Sequence, residues 1–103
     1  MHLTDLLLNL LVDSVPRLPS ALELASAHAS GGLASNRTRY ETDVEYAQSV
    51  PDDRRTLLFD PQTSGGLLFT LPESAASRVA EVWPAAVRIG RVVSRSAVPL
   101  IVG

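Results

Sequence analysis

The segment from Asp60 to Leu68 holds the densest group of residues that could bind a ligand, with the sequence Asp-Pro-Gln-Thr-Ser-Gly-Gly-Leu-Leu. Pro61 fixes its own φ and disfavours helical geometry at the residue before it, so a preceding helix must end here. Gly65 and Gly66 permit positive φ and a close approach of the backbone to a neighbouring group. We therefore expect a shaped loop at this position.

Three short polar side chains precede the glycine pair and could orient the loop. They are Gln62, Thr63 and Ser64. Such side chains hydrogen-bond neighbouring backbone groups, and consecutive amides beside glycines can form a concavity that binds an anion. A tight turn into a strand over Leu67 to Leu71, with no ligand, is the alternative that local chemistry favours. The residues themselves leave both interpretations open.

A second candidate anion site lies at Asn36 and Arg37, because a guanidinium beside an amide can hold a phosphate or carboxylate. Solvated side chains on a polar loop are the alternative. The two histidines, His2 and His28, have no third nitrogen or sulfur ligand close in sequence, so we predict no metal site.

The composition excludes several classes of function. A chain of 103 residues with 46% apolar content suits one domain with one core. The net charge of −2 has no basic stripe for nucleic acid and no cationic face for a membrane. There is no cysteine and all nine basic residues are arginine, which excludes disulfides, a thiol nucleophile and lysine chemistry. No signal peptide or membrane span is indicated, so we expect a cytoplasmic protein.

In the first half of the chain, residue periodicity indicates two helices and a long loop. Leucines between Leu3 and Leu11 follow helical spacing, with Thr4 or Asp5 near the start as a cap. A second helix should run from about residue 19 to 29 and end at the Gly31-Gly32 pair. Its predicted apolar face consists of Ala21, Leu24, Ala25 and His28, with Leu22 flanking. Residues 33–50 are polar and predict a long loop with a short helical turn.

The second half predicts alternating helices and strands. A helix should follow Pro51, with Asp52 and Asp53 complementing its dipole because adjacent residues cannot converge on one metal ion. Residues 66–71 predict a central strand, and residues 73–83 predict an amphipathic helix. Residues 86–93 and 98–102 predict a terminal hairpin through a turn at 94–97, with Gly90 at a bulge or close approach. This order indicates an α+β fold with helices packed on a mixed sheet.

The nine residues from Asp60 to Leu68 resemble the signature of the C-terminal domain of selenophosphate synthetase, within the aminoimidazole-ribonucleotide-synthetase-related superfamily. Two weaker stretches agree in order and approximate spacing. They are Val15 to Ala25, with the pattern Val-Pro-Arg-Leu-Pro, and Gly31-Gly32 followed by Ser35-Asn36-Arg37. The likeness covers roughly residues 12 to 102 of a single domain, and residues 1–11 form a poorly matched leader. The resemblance implies a strand over about residues 8–12 where the leucine spacing predicts a helix.

The resemblance implies an enzyme that makes selenophosphate from selenide and ATP, with magnesium, and releases AMP and phosphate. The family's reactive cysteine or selenocysteine and its lysine lie in its N-terminal domain, and neither residue type occurs here. The family's Asp-Val-Thr-Gly-Phe-Gly segment, which contributes a magnesium ligand, is missing before residue 12. We therefore expect a domain truncated at its N-terminal side, with no catalytic residues and no cofactor of its own.

On this interpretation the partner is the missing N-terminal domain, and the loop Gln62 to Gly66 faces the active site over which this domain closes. Omission of the family's first helix would uncover a sheet face, so we also expect a homodimer. Two other classes of function stay open. One is a stand-alone phosphate or nucleotide-binding module that uses the Thr63 to Gly66 loop. The other is a purely structural or oligomerisation unit.

Overall fold

A four-stranded mixed sheet organises the chain, whose computed structural model describes residues 6–94 and 97–103. The strands are β1 (Leu6–Leu10), β2 (Val44–Tyr46), β3 (Gly90–Ser94) and β4 (Leu100–Val102). Their order across the sheet is β2-β4-β1-β3. β1 runs antiparallel to β3 and parallel to β4, and β2 runs parallel to β4. The α+β class predicted from the sequence is confirmed.

Four α-helices accompany the sheet in the described part of the chain. They are α1 (Ala21–Ala27), α2 (Gly31–Tyr40), α3 (Asp52–Leu57) and α4 (Glu73–Val82), with 3-10 turns at Val12–Ser14 and Glu41–Asp43. α3 and α4 confirm two predicted helices, and each follows a proline whose extended backbone starts the helix. Of the helices in residues 6–94 and 97–103, none is long and apolar enough to cross a membrane.

The core lies where β1 and β4 meet the turn before α3. Its buried cluster consists of Leu10, Val12, Val50 and Val102. Half-buried apolar side chains from β2, β4 and the end of α3 pack against this cluster, among them Val44, Leu100 and Leu58. Leu7 and Val102 are the largest fully buried side chains. Burial of this apolar surface is the main force that holds the sheet to the helices.

β1 is an interior strand, which confirms the strand expected from the resemblance but starts it earlier, at Leu6 instead of residue 8. Both of its edges are occupied, since Leu11 N–H donates to Ile89 O at 2.8 Å and Val12 N–H donates to Gly103 O at 2.9 Å. The helix that the leucine spacing predicts is wrong for Leu6–Leu10. Its expected cap at Thr4 or Asp5 lies outside the described residues.

The predicted terminal hairpin is wrong, although both of its strands form. β3 and β4 do not pair with each other because β1 lies between them. The predicted turn at 94–97 includes two residues outside the described part. Close approach at Gly90 is confirmed: a Cβ there would overlap the carbonyl oxygen of Asn9 on β1. This contact explains why the position accommodates only glycine without a shift of the backbone.

The region from Gly31 to Val50 is more ordered than predicted. Gly31 and Gly32 do not end α1 but form the first turn of α2, capped by Ser30 Oγ, which accepts from Leu33 N–H at 3.2 Å. The predicted long loop at 33–50 is therefore wrong, because it holds most of α2, a 3-10 turn and β2. A hydroxyl cap and one buried leucine are enough to begin a helix in a polar sequence.

The predicted apolar face of α1 is only partly right. Ala21, Ala25 and the flanking Leu22 are half-buried, whereas Leu24 and His28 are exposed. α1 packs against α3 and not on a sheet face.

The predicted central strand at 66–71 is wrong. Residues 67–71 form neither strand nor helix and are exposed, and Leu67 keeps 74% of its surface in contact with solvent. Both sides of β1 are already taken by β3 and β4, so an apolar run at this point has no interior strand position to fill. Its clearest side-chain contact is the stacking of Phe69 on Trp83, with ring centroids 6.2 Å apart and planes 8° from parallel.

Candidate functional site

The loop predicted from the glycine pair begins where α3 ends. Asp60 N–H donates to Leu57 O at 3.1 Å, and Pro61 then turns the chain out of the helix. Gly65 has φ +99° and Gly66 has φ +78°, so both glycines adopt the positive φ that their residue type permits. Both angles are rarely adopted by residues with a Cβ. The two glycines therefore supply a backbone shape that other residues would adopt only with strain.

The polar side chains of the loop face solvent. Gln62 Nε2 donates to Asp60 Oδ2 at 3.2 Å, which holds the loop across its proline. Thr63 and Ser64 are exposed, and within the described residues their hydroxyls have no hydrogen-bond partner. They therefore do not serve to close the loop on itself. The hydroxyls are available for a ligand or for another polypeptide segment.

α2 lies against the start of this loop, a connection that the sequence did not reveal. Asn36 Nδ2 donates to Phe59 O at 3.0 Å, two residues before Pro61. A Cβ on Gly32 would lie 3.0 Å from the Cγ atom of Pro61, so the helix and the proline ring are in close contact. α2, which carries Asn36 and Arg37, thus lies next to the residues that lead into the loop. Ser30, as a cap before two glycines, was the local signal for this helix.

Arg37 uses its guanidinium within the chain. Nη2 donates to Asp52 Oδ1 at 2.8 Å, Nε donates to Glu41 Oε1 at 3.0 Å, and Nη1 donates to the hydroxyl of Thr56. These contacts tie α2 to the first turn of α3. The hydrogen bond from Arg37 lowers the pKa of Asp52, and the two carboxylates raise the pKa of Arg37. A cation that already has two carboxylate partners attracts a further anion less strongly than a free one.

A second arginine stabilises the neighbouring turn. Arg55 lies over the ring of Tyr46, 4.5 Å from its centroid, and donates to Val50 O at 2.9 Å and Ala47 O at 3.2 Å. Burial raises the pKa of the Tyr46 hydroxyl, which is enclosed and has no hydrogen-bond partner among the described residues. The arginine closes the connection between β2 and α3. Sequence reasoning missed this pair because its members lie nine positions apart across an irregular turn.

The two adjacent carboxylates of α3 do not form a metal site. Asp52 accepts from Arg37, while Asp53 Oδ1 accepts from the N–H of Arg54 at 2.8 Å. Arg54 itself pairs with Asp13, which links α3 to the turn after β1. Within residues 6–94 and 97–103 no three His, Cys, Asp or Glu side chains form a group that could hold a metal ion. The arrangement of Asp52 and Asp53 does not fit magnesium.

Comparison with known proteins tests the family resemblance that the residues from Asp60 to Leu68 suggest. No protein-family profile matches the chain. It is 35% identical over 98% of its length to selenide, water dikinase of Agathobacter rectalis, and 39% identical over 81% to that of Desulfitobacterium hafniense. Selenide, water dikinase of Rhizobium meliloti is 40% identical over 77% of the chain. The chain resembles the C-terminal part of selenide, water dikinases. The resemblance to this family inferred from the sequence is confirmed.

The chain spans about a third or less of these relatives. It covers 32% of the Agathobacter rectalis protein, 28% of the Desulfitobacterium hafniense protein and 23% of the Rhizobium meliloti protein. The match is therefore to one portion of selenide, water dikinase. The match to the Agathobacter rectalis protein covers nearly the whole of this chain.

Proposed function

We propose that this chain is the C-terminal part of a selenide, water dikinase and acts together with a complementary N-terminal part. The observation that carries the proposal is the 35% identity over 98% of the chain to a relative three times as long. In the proposed reaction, selenide, ATP and water give selenophosphate, AMP and phosphate. The reactive cysteine or selenocysteine and the lysine come from the N-terminal part, since this chain contains neither cysteine nor lysine.

In this proposal the loop Gln62 to Gly66 faces the shared active site. Its hydroxyls at Thr63 and Ser64 are exposed, and its two glycines have positive φ values. Both features suit contact with a phosphate or with the N-terminal part. Asn36 and Arg37 fix the position of the helix end from which the loop starts. Asn36 donates to the carbonyl of Phe59, and Arg37 joins α2 to α3. We assign them a positioning role beside the loop.

ATP and magnesium belong to the whole enzyme in this proposal, and the chain alone binds neither. Asp52 and Asp53 are engaged with Arg37 and with the N–H of Arg54. Magnesium requires oxygen ligands that converge in near-octahedral geometry, which these two carboxylates do not supply. The contribution of this chain is therefore to cover the site and to place the loop.

We further propose that the chain forms a homodimer.

A chimeric enzyme tests the proposal. The matched third of the Agathobacter rectalis protein is replaced by this chain, and formation of AMP from ATP is measured with and without selenide. We expect selenide-dependent turnover by the chimera and none by the chain alone. Replacement of Thr63 and Ser64 together by Ala should lower turnover about tenfold, the scale of losing one or two hydrogen bonds that form in the transition state. Thr42→Ala, at an exposed residue of another turn, is the matched control.

Two results would contradict this proposal. Selenide-dependent turnover by the isolated chain would mean that its own residues are catalytic. A chimera that folds and turns over normally without both loop hydroxyls would reduce the loop to a structural connection. An increase in the melting temperature of the isolated chain with ATP, AMP or phosphate would instead favour the stand-alone binding module.

A further inference from the structure

Two glycines begin α2, although glycine is a poor helix former. Neither has a positive φ, so the backbone does not require glycine at either position. A Cβ on Gly31 would meet no atom within 4 Å, whereas a Cβ on Gly32 would lie 3.0 Å from Pro61 Cγ. Carbon atoms in favourable contact lie about 3.5 to 4.0 Å apart. Of the two glycines, Gly32 is therefore the one that a neighbouring group requires.

Gly32 shares its face of α2 with Asn36, because residues four apart lie one turn from each other on the same side of a helix. Both contact the chain that leaves α3. Gly32 lies against the ring of Pro61, and Asn36 Nδ2 donates to Phe59 O at 3.0 Å. Two contacts at separate points restrict the direction of a segment as well as its position. α2 thus sets the path along which the chain enters the loop.

The contact between Gly32 and Pro61 is not part of the core. Both residues are exposed, so the contact removes little apolar surface from water and contributes little to stability. Its consequence is geometric. No backbone hydrogen bond joins residues 61–71 to any other part of the described chain. The position of the loop therefore depends on how Pro61 lies against α2.

We propose that Gly32 is a positioning residue for the loop Gln62 to Gly66. Its missing side chain lets Pro61 lie directly against α2, and this contact places the loop relative to the shared active site. The inference rests on the proposed function and adds to it a residue outside the loop. Gly32 itself touches neither the loop hydroxyls nor a substrate.

Gly32→Ala in the chimera described above tests the role. The added methyl group must push Pro61 away by about 0.5 Å or more to reach an ordinary carbon–carbon distance. Because a misplacement of about 1 Å can slow a reaction about 100-fold, we expect kcat to fall about fivefold with an unchanged KM for ATP. Gly31→Ala is the matched control. It adds the same group to the same helical turn without a contact, and should leave kcat unchanged.

A second substitution distinguishes positioning from a general disturbance of α2. Pro61→Ala removes Cγ and keeps Cβ, which would lie 3.8 Å from a Cβ on Gly32, an ordinary contact distance. In the Pro61→Ala background, Gly32→Ala should therefore cause no further loss of kcat. A disturbance confined to the helix would instead lower kcat by the same factor in both backgrounds.

Residual dipolar couplings of the isolated full chain provide a readout that needs no activity. The couplings of the Gly65 and Gly66 amides report the orientation of the loop relative to the sheet. Gly32→Ala should change them, and Gly31→Ala should not. Couplings that average to zero in the unsubstituted chain would mean that α2 does not hold the loop, and they would overturn the role of Gly32.

The outcomes separate this role from the proposed function. An unsubstituted chimera without selenide-dependent turnover contradicts the proposed function, and the dipolar couplings then decide whether Gly32 sets the loop. An active chimera whose kcat is unchanged by Gly32→Ala overturns the role of Gly32 and leaves the proposed function standing. The same holds for a lower melting temperature with unchanged kcat, and for an equal loss of kcat with Pro61 intact or replaced.

Discussion

Two segments of nearly the same composition end in opposite environments. β1 reads Leu-Leu-Leu-Asn-Leu and lies inside the sheet, where Leu7 is 2% exposed. Residues 67–71 read Leu-Leu-Phe-Thr-Leu and lie outside it, where Leu67 is 74% exposed. Apolar content does not distinguish them. The difference is that β1 has hydrogen-bonded neighbours on both sides, while the described chain offers the second segment none.

The same contrast extends to the regions around the two segments. The buried side chains of the described residues lie between Leu7 and Phe59 or at Val102, and α4 contributes none. The arginines of the first region join separate elements, as Arg37 joins α2 to α3 and Arg54 joins α3 to Asp13. The region from 61 to 88 therefore depends on few tertiary contacts. Regions of this kind open at low free energy and are suited to binding.

The same substitution at the two segments should separate them most clearly. Leu7→Ala should lower the free energy of unfolding by about 3 kcal/mol, because it leaves a cavity around a fully buried side chain. Leu67→Ala should change the free energy of unfolding by less than about 0.5 kcal/mol. Urea denaturation at low protein concentration measures both. Equal losses at the two positions would mean that residues 67–71 are buried within the single chain.

A glycine substitution tests the close pairing of β1 with β3. Gly90→Ala should cost about 2 kcal/mol, since the added methyl group overlaps the carbonyl oxygen of Asn9 and the backbone itself must shift. Gly31→Ala is the control, because a Cβ on Gly31 meets no atom within 4 Å. The comparison of thermal unfolding curves decides the point, and a tolerated alanine at Gly90 would contradict the register of β1 and β3.

The arginine contacts of the two regions can be compared directly. Arg37→Ala should lower the free energy of unfolding by about 1 kcal/mol, mainly through the lost hydrogen bond to Thr56 between α2 and α3. Arg88→Ala removes two hydrogen bonds to Glu73 at 2.7 and 3.0 Å, but both of these side chains are exposed. Exposed ion pairs contribute little, so the Arg88 variant should lie close to the wild type. A larger loss of stability in the Arg88 variant than in the Arg37 variant would contradict the proposed difference between the two regions.

Acid sensitivity should depend on the same arginine. Arg37 lowers the pKa of Asp52 below its ordinary value of 3.8, so the folded state binds this proton less readily than the unfolded state. The resulting stabilisation is present above about pH 4 and is lost as the pH falls through the folded pKa. Arg37→Ala should therefore flatten the dependence of stability on pH below 4. Denaturation curves between pH 2 and 5 provide the measurement, and an unchanged slope would contradict it.

The smallest expected effect concerns positive φ outside the glycine loop. Ser20, before α1, has φ +66°, whereas Gly65 and Gly66 adopt such angles without a Cβ. Ser20→Gly should raise the free energy of unfolding by about 0.5 kcal/mol, because relief of strain exceeds the added freedom of the unfolded chain. Gly65→Ala should act in the opposite direction. A destabilised Ser20→Gly protein would mean that the serine hydroxyl supports the start of α1.

The sequence by itself determined the features that depend on a residue and its immediate neighbours. Pro51 and Pro72 mark the starts of α3 and α4, and the pair Gly65-Gly66 marks the positive φ values. Each follows from steric limits on φ and ψ, which act within two or three residues. The nine-residue signature around these glycines also identified the relatives, since it is a property of the sequence alone.

Only the tertiary structure decided which apolar segments are paired. The spacing of residues 86–102 indicates two strands, but it does not reveal that β1 separates them. Nor does the apolar run after Gly66 reveal whether a neighbouring strand is free to receive it. The partners of Arg37, 15 residues away at Asp52 and 19 away at Thr56, are equally nonlocal. Sheet order and side-chain networks depend on contacts between residues that are distant in sequence. A local sequence pattern indicates that a segment has an apolar face, but it does not identify the element that packs on that face.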